Sequence, residues 1–124
     1  QKVDGVSSLE KTNLTYRIRK DGLKNIDDFI DSEMVQTYRL EDILKKDHIY
    51  ANIFLEVDFL QIDAEGYDDE IIYNSGLEKF NFKYINYEFK NLPDVKLNKL
   101  HNFLKENNYK VIRWNKSDEL AYKI

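Results

Sequence analysis

Residues 57–72 run Val-Asp-Phe-Leu-Gln-Ile-Asp-Ala-Glu-Gly-Tyr-Asp-Asp-Glu-Ile-Ile, and no other stretch constrains the fold as strongly. An apolar run stops at two carboxylates, Asp63 and Glu65, passes Gly66, and restarts with helical spacing. A buried strand does not carry charge without a reason, because an unpaired carboxylate in a low dielectric is costly. Strand, acidic tip, glycine turn and helix in succession describe the carboxyl edge of an α/β sheet, the usual place for a ligand.

The pattern on either side of this tip extends the same architecture. Residues 57–62 are nearly all apolar, which predicts a strand covered on both faces. Residues 68–73 predict a helix whose first turn is acidic, as the helix dipole favours, and Asn74-Ser-Gly76 punctuates its end. Residues 84–89 predict a second strand with Glu88 at its tip. Residues 95–107 predict a helix with Leu97, Leu100, Phe103 and Leu104 on one stripe. Residues 109–114 and 119–124 flank a polar turn and predict an antiparallel hairpin. Upstream, residues 35–40 alternate as a strand should, and a short helix over 41–46 follows. Residues 1–34 are irregular, with a short edge strand expected at 14–19 and a helical turn at 26–30. The expectation is one domain over 1–124, its α/β core spanning 35–124, with a mostly parallel sheet, right-handed crossovers and a terminal antiparallel hairpin.

Composition narrows the function classes. Hydrophobic residues make up 42% of the 124 and charged residues 34%, a globular rather than a disordered balance. A net charge of −4 gives no general attraction to nucleic acid or to an anionic membrane. Without cysteine there is neither a disulfide nor a thiolate metal site. Two histidines, His48 and His101, are too far apart in sequence to suggest a zinc site, and no metal site is expected. No run approaches the ~18 apolar residues of a membrane span. A cytoplasmic setting is the default expectation.

The ordered elements resemble the FkbM family of S-adenosylmethionine-dependent methyltransferases. The family stretch I-D-[FL]-L-K-I-D-V-E-G-x-E is followed closely by Val57-Asp-Phe-Leu-Gln-Ile-Asp-Ala-Glu-Gly-Tyr-Asp68. Val35-Gln-Thr-Tyr-Arg-Leu-Glu-Asp-Ile-Leu44 resembles the upstream V-x-T-x-x-L-D-x-[LI]-L element, and Ser7-Ser8-Leu9 is similar to a patch that often precedes it. Tyr84-Ile-Asn-Tyr-Glu88 matches the strand that ends in glutamate, and residues 97–109 match the helix leading to the next strand. Three departures stand out. Gln61 replaces the usual lysine, Asp68 replaces a longer acid, and no D-x-G-A-N-x-G cofactor loop occurs in the sequence. The resemblance therefore implies the C-terminal part of a class I, Rossmann-like methyltransferase fold. Its strand order would be 4-5-7-6, and strands 1–3 would be missing.

What the resemblance implies for the site is specific. Asp63 and Glu65 would be the catalytic pair, as proton acceptor or as clamp on the acceptor hydroxyl. Gly66 would permit a close backbone approach, and Glu88 would support the pair from the neighbouring strand, making an acidic cluster that raises at least one carboxyl pKa. S-adenosylmethionine would be the methyl donor, bound weakly or not at all by this chain alone. The acceptor would be a small-molecule or carbohydrate hydroxyl. The residues alone leave other readings open. Asp63 could cap the helix while Glu65 is solvated, and Glu88 could pair with Lys83 or Lys90. The acids could also hold a hard cation in a metal-dependent hydrolase. A further alternative is a non-catalytic methyltransferase-like binding or assembly module, dimerising through an exposed sheet edge. His101 is expected at the surface, and Trp114 and Asn115 as packing and turn residues.

Overall fold

A computed structural model of the chain describes residues 33–40, 42 and 57–124. Its elements, in chain order, are β1 (Phe59–Gln61), α1 (Asp68–Tyr73), β2 (Tyr84–Glu88), α2 (Asp94–Glu106), β3 (Tyr109–Arg113) and β4 (Asp118–Lys123). The four strands form one sheet in the order β1-β2-β4-β3. β1 pairs with β2 in parallel, Phe59 opposite Tyr84 and Gln61 opposite Asn86. β4 is antiparallel both to β2 and to β3, with Tyr87 opposite Glu119 and Val111 opposite Ala121. β1, β2 and β3 thus share one direction and β4 runs against them.

Among the described residues one of the three ladders is parallel, so this part of the sheet is mixed α/β rather than mostly parallel. The second strand of the hairpin inserts between β2 and β3, the placement that a 4-5-7-6 order implies. Asn115 builds the turn over residues 114–117: its Oδ1 accepts the Ser117 N–H at 2.7 Å and the Asp118 N–H at 2.8 Å, an Asx turn.

The core lies on one face of the sheet. Ile85, Tyr87 and Ala121 alternate inward along β2 and β4, and Ile72 of α1 and Leu100 and Leu104 of α2 pack on them, all fully buried. The helical stripe predicted for α2 supplies this contact, with Leu97 and Phe103 half-buried at its margins. α2 begins after Pro93, whose carbonyl accepts the Leu97 N–H at 2.9 Å. It ends at Asn107 and Asn108, and Asn108 takes the left-handed φ of 66° that asparagine tolerates. Tyr109 and Phe82 close the far end, the Tyr109 hydroxyl donating to the Phe82 carbonyl at 2.6 Å.

The opposite face is open among the described residues. Phe59 (52% exposed), Tyr84 and Ile112 lie on it, and the Phe59 and Tyr84 rings sit 6.5 Å apart. This corrects the expectation that residues 57–62 are covered on both faces: Leu60 and Ile62 turn toward the core, whereas Phe59 and Gln61 do not. Gln61 instead accepts a hydrogen bond from Asn86 across the ladder. Residues 33–39 are not a strand, although their alternation predicts one. Among the described residues they have no strand neighbour to complete a ladder, and both of their faces meet solvent, with Val35 and Tyr38 exposed. Leu40 and Asp42 are helical, at the start of the helix expected over 41–46. The remainder of that helix, the elements expected at 14–19 and 26–30, Ser7-Ser8-Leu9 and His48 lie outside the described residues. Among the described residues, no helix is long and apolar enough to cross a membrane.

Candidate functional site

β1 and β2 run in parallel, so their carboxyl ends emerge side by side. Pairing continues one residue past β1, where the Ile62 N–H donates to the Asn86 carbonyl at 2.9 Å. The chain then reverses sharply. The Tyr67 N–H closes a turn onto the Ala64 carbonyl, and the two residues inside it are left-handed, Glu65 at φ 48° and Gly66 at φ 95°. Gly66 is buried, and a φ of that size is open to glycine and strained for other residues. Glu65 accepts a smaller strain of the same kind, an uncommon conformation for a long side chain and one that tends to occur at functional sites.

Asp68 holds this turn. It is fully buried, its Oδ2 accepting the Ala64 N–H at 3.3 Å and its Oδ1 the Glu88 N–H at 3.0 Å. One carboxylate therefore staples the exit of β1 to the tip of β2. Burial pushes its pKa up, against the lowering effect of these backbone donors. The shorter acid that departs from the family pattern reaches both strand tips. No side chain caps α1, whose N-cap is Tyr67, so Asp63 is not a helix cap.

The predicted site residues meet at the same edge. Asn91, three residues beyond the end of β2, donates from Nδ2 to Glu65 Oε2 at 3.0 Å and to Glu88 Oε2 at 2.7 Å. Glu65 is thus neither isolated nor merely solvated. Glu88 takes Asn91 as its partner, while Lys83 forms an ion pair with Asp58. The Glu88 carboxyl is raised by burial first, then by the charges of Glu65 and Asp68, with Asp63 adding and the Asn91 hydrogen bond opposing. The acidic cluster anticipated from the sequence is formed, and Asp63 stands exposed at its rim. Among the described residues, no three His, Cys, Asp or Glu side chains are arranged to hold a metal ion. A carboxylate-rich, half-buried edge suits a ligand that brings positive charge or a hydroxyl proton.

Sequence reasoning missed three residues. Asp68 was visible only as an acid in a helix's first turn, shorter than the family's usual one, and Asn91 only as loop punctuation before Pro93. The third is Glu119, read simply as the start of the last strand. It is 3% exposed, and its Oε2 accepts the Tyr87 hydroxyl at 2.8 Å and lies 2.6 Å from His101 Nε2. Arg113 approaches its other oxygen at 3.4 Å. Burial and then the Glu119 charge push the Tyr87 hydroxyl pKa up. His101 is therefore a half-buried partner rather than a free surface residue, because α2 lays it against β4. Trp114 is the reverse case: expected to pack, it is 65% exposed where β3 runs out.

No curated protein and no solved structure matches the chain significantly. A family model, that of the methyltransferase FkbM domain, matches residues 5–111. This match spans the strand, the acidic turn, the helix and the Glu88 tip that build the site, and the chain belongs to the FkbM methyltransferase domain family.

Proposed function

We propose that this chain forms the acceptor side of an S-adenosylmethionine-dependent methyltransferase with a class I, Rossmann-like sheet, acting on a hydroxyl of a sugar or small metabolite. The observation that carries the proposal is the meeting of Glu65 and Glu88 at the ends of two parallel strands, joined through Asn91. Further support comes from the strand order β1-β2-β4-β3, which is the 4-5-7-6 order expected for the second half of such a sheet. The family in general uses S-adenosylmethionine, which supplies an electrophilic methyl group when bound. An acidic edge fits a donor that carries a sulfonium charge.

On this proposal the chain's own residues do three things. Asp63 and Glu65 hold the acceptor hydroxyl and take its proton as the oxygen becomes a nucleophile. Glu88 supports them from β2, and its raised pKa favours holding a proton that Glu65 hands on. Gly66 lets the backbone come close to the reacting groups. The catalytic advantage rests mainly on positioning. The sequence holds no D-x-G-A-N-x-G turn, so the loop that grips the donor would come from outside these residues.

The test is methyl transfer by the protein that contains this chain, using labelled S-adenosylmethionine and a panel of hydroxylated acceptors. Asp63→Asn and Glu65→Gln are expected to lower kcat about 10²-fold or more, the usual contribution of a positioned acid or base, with donor affinity retained. Wild-type turnover by both variants would remove these residues from the chemistry.

A further inference from the structure

Asn91 keeps Glu65 and Glu88 together, so whatever places its amide decides whether the acid pair stays formed. Asn91 sits inside the turn that follows β2, which the Leu92 N–H closes onto the Phe89 carbonyl at 3.0 Å. Phe89 is the fixed point of that turn, and the β3–β4 hairpin holds it twice. Its N–H donates to the Ser117 carbonyl at 2.9 Å, with the Lys90 N–H on the same oxygen at 3.3 Å. Its ring carries the Arg113 guanidinium, whose carbon is 4.2 Å from the ring centroid.

The sheet sets up this second contact. Tyr87, Glu119 and Arg113 stand abreast across β2, β4 and β3, and Phe89 follows Tyr87 two residues along. The buried Glu119 is anchored through Oε2 by the Tyr87 hydroxyl and His101, which leaves Oε1 to aim Arg113 at 3.4 Å. Arginine suits the place because a planar guanidinium lies flat on a ring while its edge donates to a carboxylate. A chain of contacts thus runs from Glu119 through Arg113 and Phe89 to the turn of Asn91, and from Asn91 to Glu65 and Glu88.

We infer that Arg113, stacked on Phe89, is a positioning residue for the acid edge: it fixes the turn that carries the Asn91 amide between Glu65 and Glu88. Its effect on turnover rests on the methyltransferase proposal; its effect on the acid pair does not. The test follows Glu88 by carboxyl-carbon NMR, and methyl transfer, on the same preparations of the protein containing this chain. Phe89→Leu removes the aromatic face and leaves every charge in place, while Arg113→Met, at an exposed side chain, keeps the aliphatic stem and removes the guanidinium. Both should loosen the Asn91 bond that opposes burial and the neighbouring acids, so Glu88 should titrate higher. Where transfer occurs, kcat should fall about two- to fivefold, the scale of one cation–π contact, with donor affinity retained. An Asn91→Ala background separates positioning from any through-space effect of the lost charge: there neither substitution should move Glu88 further. Lys110→Ala, which removes another cation from β3, should move nothing. Wild-type titration of Glu88 in both variants, wild-type kcat in both, or equal shifts with and without Asn91 would overturn the inference. Shifted titration with no methyl transfer by any of the proteins, wild type included, would refute the methyltransferase proposal and leave the positioning role standing.

Discussion

Replacing Asp68 tests whether one buried carboxylate holds the site together. Its two oxygens take the Ala64 and Glu88 N–H groups at 3.3 and 3.0 Å, and the residue is fully buried. Hydrogen bonds to a charged group contribute about 1.5–3 kcal/mol each, and a buried donor left unpaired costs about 1–3 kcal/mol. The carboxylate itself bears a desolvation cost, seen in its raised pKa, so the net sits at the low end of the sum. Asp68→Ala should therefore destabilise by about 2–4 kcal/mol, and Asp68→Asn, which keeps one acceptor oxygen, by about half of that. With a urea m-value of ~2 kcal/mol/M, mid-range for a small protein, the alanine variant's midpoint should fall by about 1–2 M at unchanged m. The pH dependence gives an independent arm. Because the folded-state pKa is raised, the folded chain keeps this proton to higher pH than the unfolded chain does. The associated stability is fully present below the unfolded value of 3.8 and is lost as pH rises through the folded value. The wild type should accordingly gain on Asp68→Asn as pH is lowered from neutrality toward 3.8. Glu88 is shifted in the same direction, and since the Asp68 charge contributes to that shift, its share adds to the wild type's gain with the same sign. An alanine variant within about 0.5 kcal/mol of wild type, or a gap that widens the other way with pH, would refute the staple.

Three further perturbations address neighbouring parts of the fold. Asn91→Ala removes the donor that lowers the Glu88 pKa, so that carboxyl should titrate still higher; carboxyl-carbon NMR finding it unchanged or lower would break the proposed link. Glu119→Ala strands the buried Tyr87 hydroxyl and takes the partner from half-buried His101, and should cost about 2 kcal/mol by chemical denaturation, within the range for a buried donor left unpaired. Glu119→Gln should recover part of that loss, and equal costs for the two would argue against the hydrogen bonds. Gly66→Ala forces a side chain onto a φ of 95° and should destabilise by about 1–2 kcal/mol; a neutral result in a melting experiment would mean the turn relaxes.

Periodicity located α1 over residues 68–73, and it located α2 and the strand tip at Glu88, because each of these patterns is satisfied locally and then buried. Leu100 and Leu104 repeat at a helix's spacing and meet Ile85 and Tyr87, so local and tertiary demands agree. Residues 35–40 carry an equally clean alternation and form no strand; a period of two is realised only where a neighbouring strand supplies the other half of the ladder, and no described strand lies beside them. The exposed Phe59 follows from the same limit: an apolar run does not reveal which of its faces a neighbour will cover. The site was readable in its acids and unreadable in its staples. Asp63, Glu65 and Glu88 stand out because charge interrupts or ends apolar runs. Asp68 and Asn91 act between segments separated by 20 and 26 positions, and their residue types are ordinary for a helix start and a loop.

The acids at the sheet edge are divided by what their oxygens already do. Asp68 spends both on backbone donors, so it fixes geometry and has nothing left to offer a ligand. Glu65 and Glu88 share a single amide nitrogen, which holds them together without neutralising either. The cost of that arrangement is visible as the raised Glu88 pKa, where burial and the Glu65 and Asp68 charges outweigh the Asn91 bond. A guest carrying positive charge, or a hydroxyl able to surrender a proton, would relieve this repulsion, so the edge favours such a guest before any chemistry begins. Removing Asp68 would loosen both strand tips at once and abolish that preference together with the fold of the turn. Removing Asn91 should leave the turn intact and the two carboxylates without their shared donor, so comparing the two variants distinguishes the scaffold of the site from its charge.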